Sequence, residues 1–479
     1  MTIRNVRVSK SEIKLYYKNV MADVIGDEHG ITALQLEDLG DRTSPLIARL
    51  NKERKAGKTP YRDLPYRTET AGRVKELVAE VKDGCEILVV LGIGGSALGN
   101  IAVQTALNPY MYNLDESQRD GPKMFVFDNV DPAQFASFLN WAGDKLDKTI
   151  FNVISKSGRT AETASQLMII RELLGPDRFH KQVVATTDTE KGTLRAIADD
   201  ADLQTLEVPD GVGGRFTVLS AVGLFSAAMC GIDIDALLAG AADMDKRVSR
   251  EDFVENPAAI NAAINHHFYN RGKRNSVIMP YSYALKDMAD WYRQLWAESL
   301  GKKLDLNGRE VRVGPTPIKA LGTTDQHSQV QLYREGPNDK LFTFLQVEDF
   351  DNDRTIGPAP DCAAELEFLA GKNLSTLLND EKRATEYALL HDERPCLTVL
   401  FDQVNEYTAG QFIYFFEVTT SLVGALFNIN PYDQPAVELG KEATFALMGR
   451  TGDYKPECSY EQFADKIRAK TDVDQGYLA

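Results

Sequence analysis

Three hydroxyl side chains and two cations are crowded into SKSGRT, residues 155–160 of the stretch VISKSGRTAET. The stretch follows an apolar run typical of a strand and leads into a segment with helical spacing. The first N–H groups of a helix have no intrahelical partner and lie at the positive end of its dipole, so they bind phosphate. Capping by Thr160 would account for one hydroxyl but not for three. We predict a site for one phosphate monoester, formed by Ser155, Lys156, Ser157, Gly158, Arg159 and Thr160.

A second loop, LGIGGSALGN at 91–100, is rich in glycine and also follows an apolar run. It is not a nucleotide-triphosphate loop, because Asn-Ile follows Gly99 where Lys and Ser or Thr are required. It matches the dinucleotide fingerprint G-x-G-x-x-A, but the acidic residue that should lie about 20 residues further on is Asp128, 31 residues beyond the alanine. Three interpretations stay open: a dinucleotide site, a turn without a ligand, and a backbone surface for a smaller polar ligand.

Three other stretches contain candidates for the chemistry. Arg215 stands between a glycine-rich run and a long uncharged segment, a setting that favours a fixed anion-binding arginine. Gln294 and Glu298 are four residues apart, on one face of a predicted helix with apolar neighbours, which suits a general base. His327 lies in the polar loop GTTDQHSQ and is the candidate for acid–base work. A surface arginine, an exposed glutamate and an ordinary loop histidine remain the alternatives.

The sequence contains no H-E-x-x-H motif or comparable cluster of metal ligands. It also lacks the G-x-S-x-G motif of hydrolases with a serine nucleophile. We therefore expect no metal.

Short apolar runs alternate with helix-length segments, which predicts an α/β fold. Runs that are apolar on both faces belong to parallel sheets covered by helices on both sides. The first set of predicted strands is 86–92, 124–129, 149–157, 182–187 and 203–208, and the second is 275–282, 341–347 and 396–401. We predict two α/β domains, 81–235 and 236–445, with a helical N-terminal segment, 1–80, and a helical C-terminal tail, 446–479.

Composition limits the partners and the compartment. The 479 residues carry a net charge of -16, so there is no basic field to attract nucleic acid or an anionic membrane surface. The five cysteines are an odd number without C-x-x-C spacing, which indicates free thiols in a reducing compartment. The N-terminus lacks the apolar stretch of a signal peptide. We expect a cytoplasmic protein.

Six motifs occur in order between residues 87 and 441: GIGGSALG, SKSGRT, GGRFTVLSAVG, QLWAESLGK, GTTDQHSQ and NPYDQPAVELGK. Together they resemble the phosphoglucose isomerase family. The resemblance implies two sugar-isomerase domains, each a parallel sheet between helices. It also implies reversible interconversion of glucose 6-phosphate and fructose 6-phosphate without a cofactor, by a homodimer whose active site is shared between subunits.

The resemblance also implies roles for individual residues. The 155–160 loop would bind the substrate phosphate, whereas Gly95 and Ser96 would contact the sugar. Glu298 would move the proton between C1 and C2 beside Gln294. The remaining implied roles are stabilisation of the intermediate by Arg215 and ring opening by His327, lent by the neighbouring subunit, and by Lys441.

One residue departs from the family pattern. Arg159 stands where the family commonly has a small or hydroxyl residue. A phosphate contact and a solvent-directed side chain are both possible, and we favour solvent.

Two other functions are alternatives to this isomerase. A non-catalytic sugar-phosphate-sensing protein would keep the phosphate site but would not need Glu298, Arg215, His327 and Lys441 together. An NAD-dependent dehydrogenase would rest on the weak fingerprint of the glycine loop alone. Activity on epimers such as mannose 6-phosphate stays open.

Overall fold

The computed structural model describes residues 12–478, so the predicted N-terminal segment lies partly outside the described residues. The strands are β1 (Lys14–Tyr16), β2 (Ile87–Leu91), β3 (Lys123–Phe127), β4 (Thr149–Ile154), β5 (Val183–Thr187), β6 (Gln204–Glu207), β7 (Asn275–Tyr281), β8 (Lys302–Leu304), β9 (Glu310–Val313), β10 (Thr316–Lys319), β11 (Lys340–Val347), β12 (Cys396–Phe401), β13 (Asp453–Lys455) and β14 (Cys458–Ser459).

The helices alternate with these strands along most of the chain. They are α1 (Ala22–Ile25), α2 (Ala33–Lys55), α3 (Thr68–Val81), α4 (Leu98–Leu107), α5 (Pro132–Ala142), α6 (Ala161–Gln182), α7 (Thr193–Asp200), α8 (Ala221–Met229), α9 (Ile234–Val248), α10 (Pro257–Asn270), α11 (Lys286–Leu300), α12 (Val330–Glu335), α13 (Leu374–His391), α14 (Glu406–Leu426), α15 (Glu438–Leu447) and α16 (Tyr460–Thr471).

The first sheet has the strand order β3-β2-β4-β5-β6, and every neighbouring pair is parallel. Strands β2, β4 and β5 are buried along their whole length because helices cover both faces. The five strands predicted from the apolar runs are confirmed. The chain moves outward in opposite directions from β2 and β4, so the order reverses between these two strands, where ligands bind in open α/β sheets.

The second sheet has the order β1-β12-β11-β7-β10. The three predicted strands, β7, β11 and β12, form its parallel centre. The described part of the N-terminal segment, 12–80, is mostly helical, but it also supplies the antiparallel edge strand β1. The predicted fold class, an α/β architecture of parallel sheets and helices, is confirmed, with β1 as an antiparallel edge strand.

Helix α14 is buried on nearly all sides, from Tyr407 to Gly424. It packs against α9, α10 and α11, so it belongs to the protein core. Among the described residues, no helix is long and apolar enough to cross a membrane.

The chain forms two compact units, one ending at Pro431 and one beginning at Tyr432. The first contains both five-stranded sheets. The second contains α15, the β13–β14 hairpin and α16, which share a small core around Ala446, Tyr460 and Ala464. The predicted domain boundaries stay a prediction. The five cysteines are free thiols.

Candidate active site

The two loops singled out in the sequence leave neighbouring strands at the same edge of the first sheet. In the parallel register of β2 and β4, Leu91 lies opposite Val153. The glycine loop follows β2 and forms a short 3-10 turn at Gly94–Ser96, whereas the 155–160 loop follows β4 and leads into α6. Both loops therefore lie at the carboxyl edge where the strand order reverses.

The 155–160 loop folds around its own hydroxyl groups. The Ser155 hydroxyl accepts a hydrogen bond from the Gly158 N–H at 3.1 Å and lies 3.2 Å from the Thr160 hydroxyl. The Ser157 hydroxyl accepts from the Arg159 N–H at 3.2 Å. Thr160 occupies the N-cap position of α6, but within the described residues its side chain does not cap the helix. The first-turn N–H groups of α6 and these hydroxyl groups thus lie together at the start of the helix. This arrangement suits an anion.

Position 158 requires glycine for two reasons. Its φ is +67°, in the left-handed region, and a Cβ there would lie 2.0 Å from the Leu194 backbone nitrogen. The Thr193 N–H also donates to the Ser157 carbonyl at 2.9 Å, which fixes the loop on the start of α7.

The two charged residues of this loop have different surroundings. Lys156 donates to the Asp210 carboxylate at 2.9 Å. This hydrogen bond lowers the pKa of Asp210 below its usual value. Arg159 is exposed. Lys156 therefore connects the 155–160 loop to the segment that leads to Arg215.

The glycine loop lies directly against the Arg215 turn. A Cβ at position 95 would lie 2.2 Å from the Gly214 carbonyl oxygen and 2.7 Å from the Arg215 nitrogen. A Cβ at position 94 would lie 2.9 Å from the Gln294 side-chain nitrogen. These short distances explain the two glycines, because the neighbouring groups leave no room for a Cβ. Ser96 lies at the end of the same turn.

Arg215 is only 2% exposed, and hydrogen bonds fix its guanidinium on several sides. Nε donates to the Ser299 hydroxyl at 2.7 Å and Nη2 donates to the Pro431 carbonyl at 2.7 Å. Nη1 donates to the Glu298 carboxylate at 3.2 Å. A buried guanidinium with a fixed orientation can stabilise a developing negative charge.

Gln294 and Glu298 share one face of α11, as their spacing predicts, and Gln294 donates to the Glu298 carboxylate at 3.3 Å. The apolar neighbours Leu295, Trp296 and Leu300 are completely buried. They face the core, so the Glu298 carboxylate meets Arg215 and not the apolar surroundings expected from the sequence. The Glu298 side chain is 33% exposed and therefore open to a ligand.

The family model for phosphoglucose isomerase matches residues 69–462, most of the chain. The chain belongs to the phosphoglucose isomerase family. Curated relatives agree with this. The glucose-6-phosphate isomerase of Carboxydothermus hydrogenoformans is 47% identical over 445 residues, covering 92% of this chain and 95% of the relative. That of Rubrobacter xylanophilus is 41% identical, covering 90% of this chain and 99% of the relative.

Solved structures agree as well. A hypothetical protein from Thermus thermophilus is 35% identical with a TM-score of 0.78, covering 87% of this chain and 98% of its own. A glucose-6-phosphate isomerase from Chlamydia trachomatis is 25% identical with a TM-score of 0.69, covering 80% of this chain and 73% of its own. Membership of the phosphoglucose isomerase family confirms the resemblance and favours an enzyme over the sensing protein.

His327 lies in the polar loop 322–329 of the first compact unit. His327 is exposed and follows a 3-10 turn whose Gln326 accepts a hydrogen bond from Tyr281 at 2.6 Å. Within residues 12–478, no hydrogen bond or ion pair joins His327 to Glu298 or the 155–160 loop. Its electrostatic neighbour is Glu381, whose pKa is raised by burial and partly lowered by His327.

Lys441 lies in the second compact unit, on α15. Its ammonium group donates to the Glu438 carboxylate at 2.7 Å, and 54% of the Lys441 side chain is exposed.

The groups that orient the charged pair were not predicted from the sequence. Ser299 directly follows Glu298 in the motif, yet its type alone gives no sign that it binds Arg215. Lys302 donates to the carbonyls of Glu298 and Ser299 at 2.6 and 3.0 Å and so caps the end of α11. No cluster of three metal-ligating side chains was found among the described residues.

Proposed function

We propose that this protein is a glucose-6-phosphate isomerase that reversibly converts glucose 6-phosphate into fructose 6-phosphate. The observation that carries the proposal is the contact between the exposed Glu298 carboxylate and the buried Arg215 guanidinium, at 3.2 Å. A proton acceptor beside a fixed cation is what the reaction needs, because removing a carbon-bound proton from the substrate leaves an anion.

The proton transfer proceeds within the open-chain sugar. The Glu298 carboxylate takes the proton from C2, the C2–H electron pair forms a C1=C2 double bond, and O1 takes the negative charge. The O2 hydroxyl then gives its proton to O1. The C1=C2 electron pair takes the proton back from the carboxylic acid at C1, and the O2 electron pair forms the carbonyl at C2. Arg215 stabilises the cis-enediolate between these steps, and Gln294 holds the carboxylate. Atoms and electrons balance within the substrate, so no cofactor is required.

The phosphate group is bound at a distance from the reacting carbons. The hydroxyls of Ser155, Ser157 and Thr160 and the N-terminus of α6 supply its donors. Gly95 and Ser96 contact the sugar from the glycine loop. Binding the phosphate in this way positions C1 and C2 at Glu298, which converts binding energy into correct orientation.

The cyclic sugar must open before the proton moves, and we assign this step to His327 and Lys441. An imidazole suits proton transfer at the ring oxygen near neutral pH. Because His327 is exposed and has no bond to the Glu298 site within the described part of its own chain, we propose a homodimer in which each subunit lends His327 to its partner.

The proposal includes a cellular compartment and a class of partner. The protein acts in the cytoplasm, in glycolysis and gluconeogenesis, on a sugar-phosphate substrate. Its net charge of -16 argues against nucleic-acid and membrane partners.

The deciding experiment is a coupled assay of the purified full-length protein with fructose 6-phosphate, run with and without EDTA. We expect equal turnover in both. Binding of fructose 6-phosphate without turnover would instead indicate the sensing protein. Activity that EDTA abolishes would contradict the metal-free mechanism.

A further inference from the structure

The N-terminal part of the chain contributes a 3-10 helix, Pro60–Tyr66, that packs against the loop containing Arg215. A Cβ at Gly211 would lie 3.0 Å from the Pro60 ring. The Tyr61 ring lies 4.8 Å from the Phe216 ring at an interplanar angle of 41°. The 3-10 helix therefore contacts this loop both before and after its arginine.

Phe216 links this helix to the active site. Its ring lies 5.6 Å from the Arg215 guanidinium carbon, within the range of a cation–π contact. Two successive contacts thus link Tyr61 to Phe216 and Phe216 to Arg215. The acceptors named above fix the N–H groups of Arg215, and the Phe216 ring adds a cation–π contact to the guanidinium.

Tyr61 is itself rigidly held. It is 2% exposed, and its hydroxyl lies 2.7 Å from the Ser421 hydroxyl on α14. The next residue, Arg62, is completely buried and donates to Asp245 at 3.0 Å and to Ser249 at 2.7 Å. The ring that supports Phe216 is therefore fixed to the core of the first unit.

Resting on the proposed role of Arg215, we infer that Tyr61 is a positioning residue for catalysis. Its ring keeps Phe216 in place, and Phe216 keeps the guanidinium directed at the developing enediolate. Without the ring, Phe216 can move into the vacated space and Arg215 can move with it. A displacement of about 1 Å at a catalytic group costs up to about 100-fold in rate.

The test compares Tyr61→Leu with Tyr61→Phe in the full-length protein, using kcat and KM for fructose 6-phosphate and inhibition by inorganic phosphate. For Tyr61→Leu we expect kcat to fall about 10- to 100-fold, with KM and phosphate inhibition within about twofold, because the 155–160 loop is not touched. Tyr61→Phe keeps the ring and should stay within about threefold of the wild type. Tyr61→Met serves if Tyr61→Leu does not fold.

Tyr112→Leu is the matched control. Tyr112 is 3% exposed, and its hydroxyl donates to the Cys230 carbonyl at 3.3 Å, so it resembles Tyr61 in burial and bonding. It should lower the melting temperature without lowering kcat of the folded protein. If Tyr61→Leu behaves like Tyr112→Leu, the inference is overturned.

A double-mutant cycle tests whether Tyr61 acts on kcat through Arg215. In an Arg215→Lys background, Tyr61→Leu should cost less than about threefold in kcat, because the group it positions is already lost. An equal cost in both backgrounds would overturn the inference. An inactive wild type would overturn the proposed function instead. Crystal structures of the wild type and Tyr61→Leu would then test the positioning role. An Arg215 guanidinium in the same place in both would contradict that role, and a displaced guanidinium in the variant would support it.

Discussion

The Glu298 carboxylate accepts a hydrogen bond from the Arg215 guanidinium at 3.2 Å, and the two side chains differ sharply in exposure, at 33% and 1%. The cation is therefore rigid and the carboxylate accessible. This arrangement suits a base that must reach a substrate beside a charge that must not move.

Glu298→Gln tests the base. The amide keeps the size of the side chain and its place beside Gln294 but cannot accept a proton. We expect kcat to fall about 100- to 10,000-fold, with KM nearly unchanged, as when only transition-state stabilisation is lost. Steady-state kinetics with fructose 6-phosphate measure both. A variant that keeps near-normal kcat would place the base elsewhere.

Ser299→Ala tests the orientation of Arg215. It removes the acceptor of Nε, and we expect kcat to fall about tenfold, as for a loss of about 1.4 kcal/mol of transition-state stabilisation. The control is Ser276→Ala, since Ser276 is also buried and its hydroxyl lies 2.8 Å from that of Tyr292. Equal kcat values for the two variants would rule out a specific role for Ser299.

Gly158→Ala tests the phosphate loop. The added Cβ would clash with Leu194 at a positive φ, so the loop must rearrange. We expect KM for fructose 6-phosphate to rise at least about tenfold, because the phosphate supplies much of the orientation energy. Gly175→Ala is the matched control: its φ is +68°, but nothing lies within 4 Å of the added Cβ. If both variants raise KM equally, backbone strain alone is responsible.

From the burial of Glu417 we predict how the free energy of unfolding depends on pH. It is completely buried on α14, and neither carboxylate oxygen has a hydrogen-bond partner within the described residues. Burial raises its pKa well above the usual value. In the unfolded chain the carboxyl group loses its proton at about pH 4.3, whereas in the folded protein it keeps the proton to higher pH.

Its contribution to stability is therefore complete below the unfolded pKa and is lost as pH rises towards the folded pKa. Relative to Glu417→Gln, the wild type should lose up to about 1.4 kcal/mol of unfolding free energy per pH unit in this window. Urea denaturation of both proteins at pH 5, 6, 7 and 8 measures the difference. A difference that does not change with pH would show that the carboxyl group titrates normally.

Complementation tests the shared site. In a homodimer that lends His327 across its interface, His327→Ala and Glu298→Gln are each inactive alone, but a mixed dimer contains one intact site. Mixing, unfolding and refolding equal amounts should restore about a quarter of wild-type activity, because half of the random dimers are mixed and each has one of two sites. Recovery near zero, with mixed dimers shown to form, would place His327 in its own subunit's site.

The strands show how much of the two sheets can be predicted from the local pattern of apolar residues. The runs that became β2, β4, β5, β7, β11 and β12 are apolar on both faces, and burial between helices requires that pattern wherever the strands lie in the sheet. Edge strand β1 has three residues and a mostly exposed pattern, so no local periodicity marks it. It is a strand because it pairs with β12.

By itself, the sequence determined the α/β class, the two loops at strand ends and the residue types of the site, because these depend on local spacing and on side-chain chemistry. Only the tertiary structure decided which of them meet. Glu298 and Arg215 are 83 residues apart, and Tyr61, from a segment that carried no motif, packs against Phe216 next to the arginine. Such contacts follow from the order of the strands and the packing of the helices between them, and no local pattern in the chain records either.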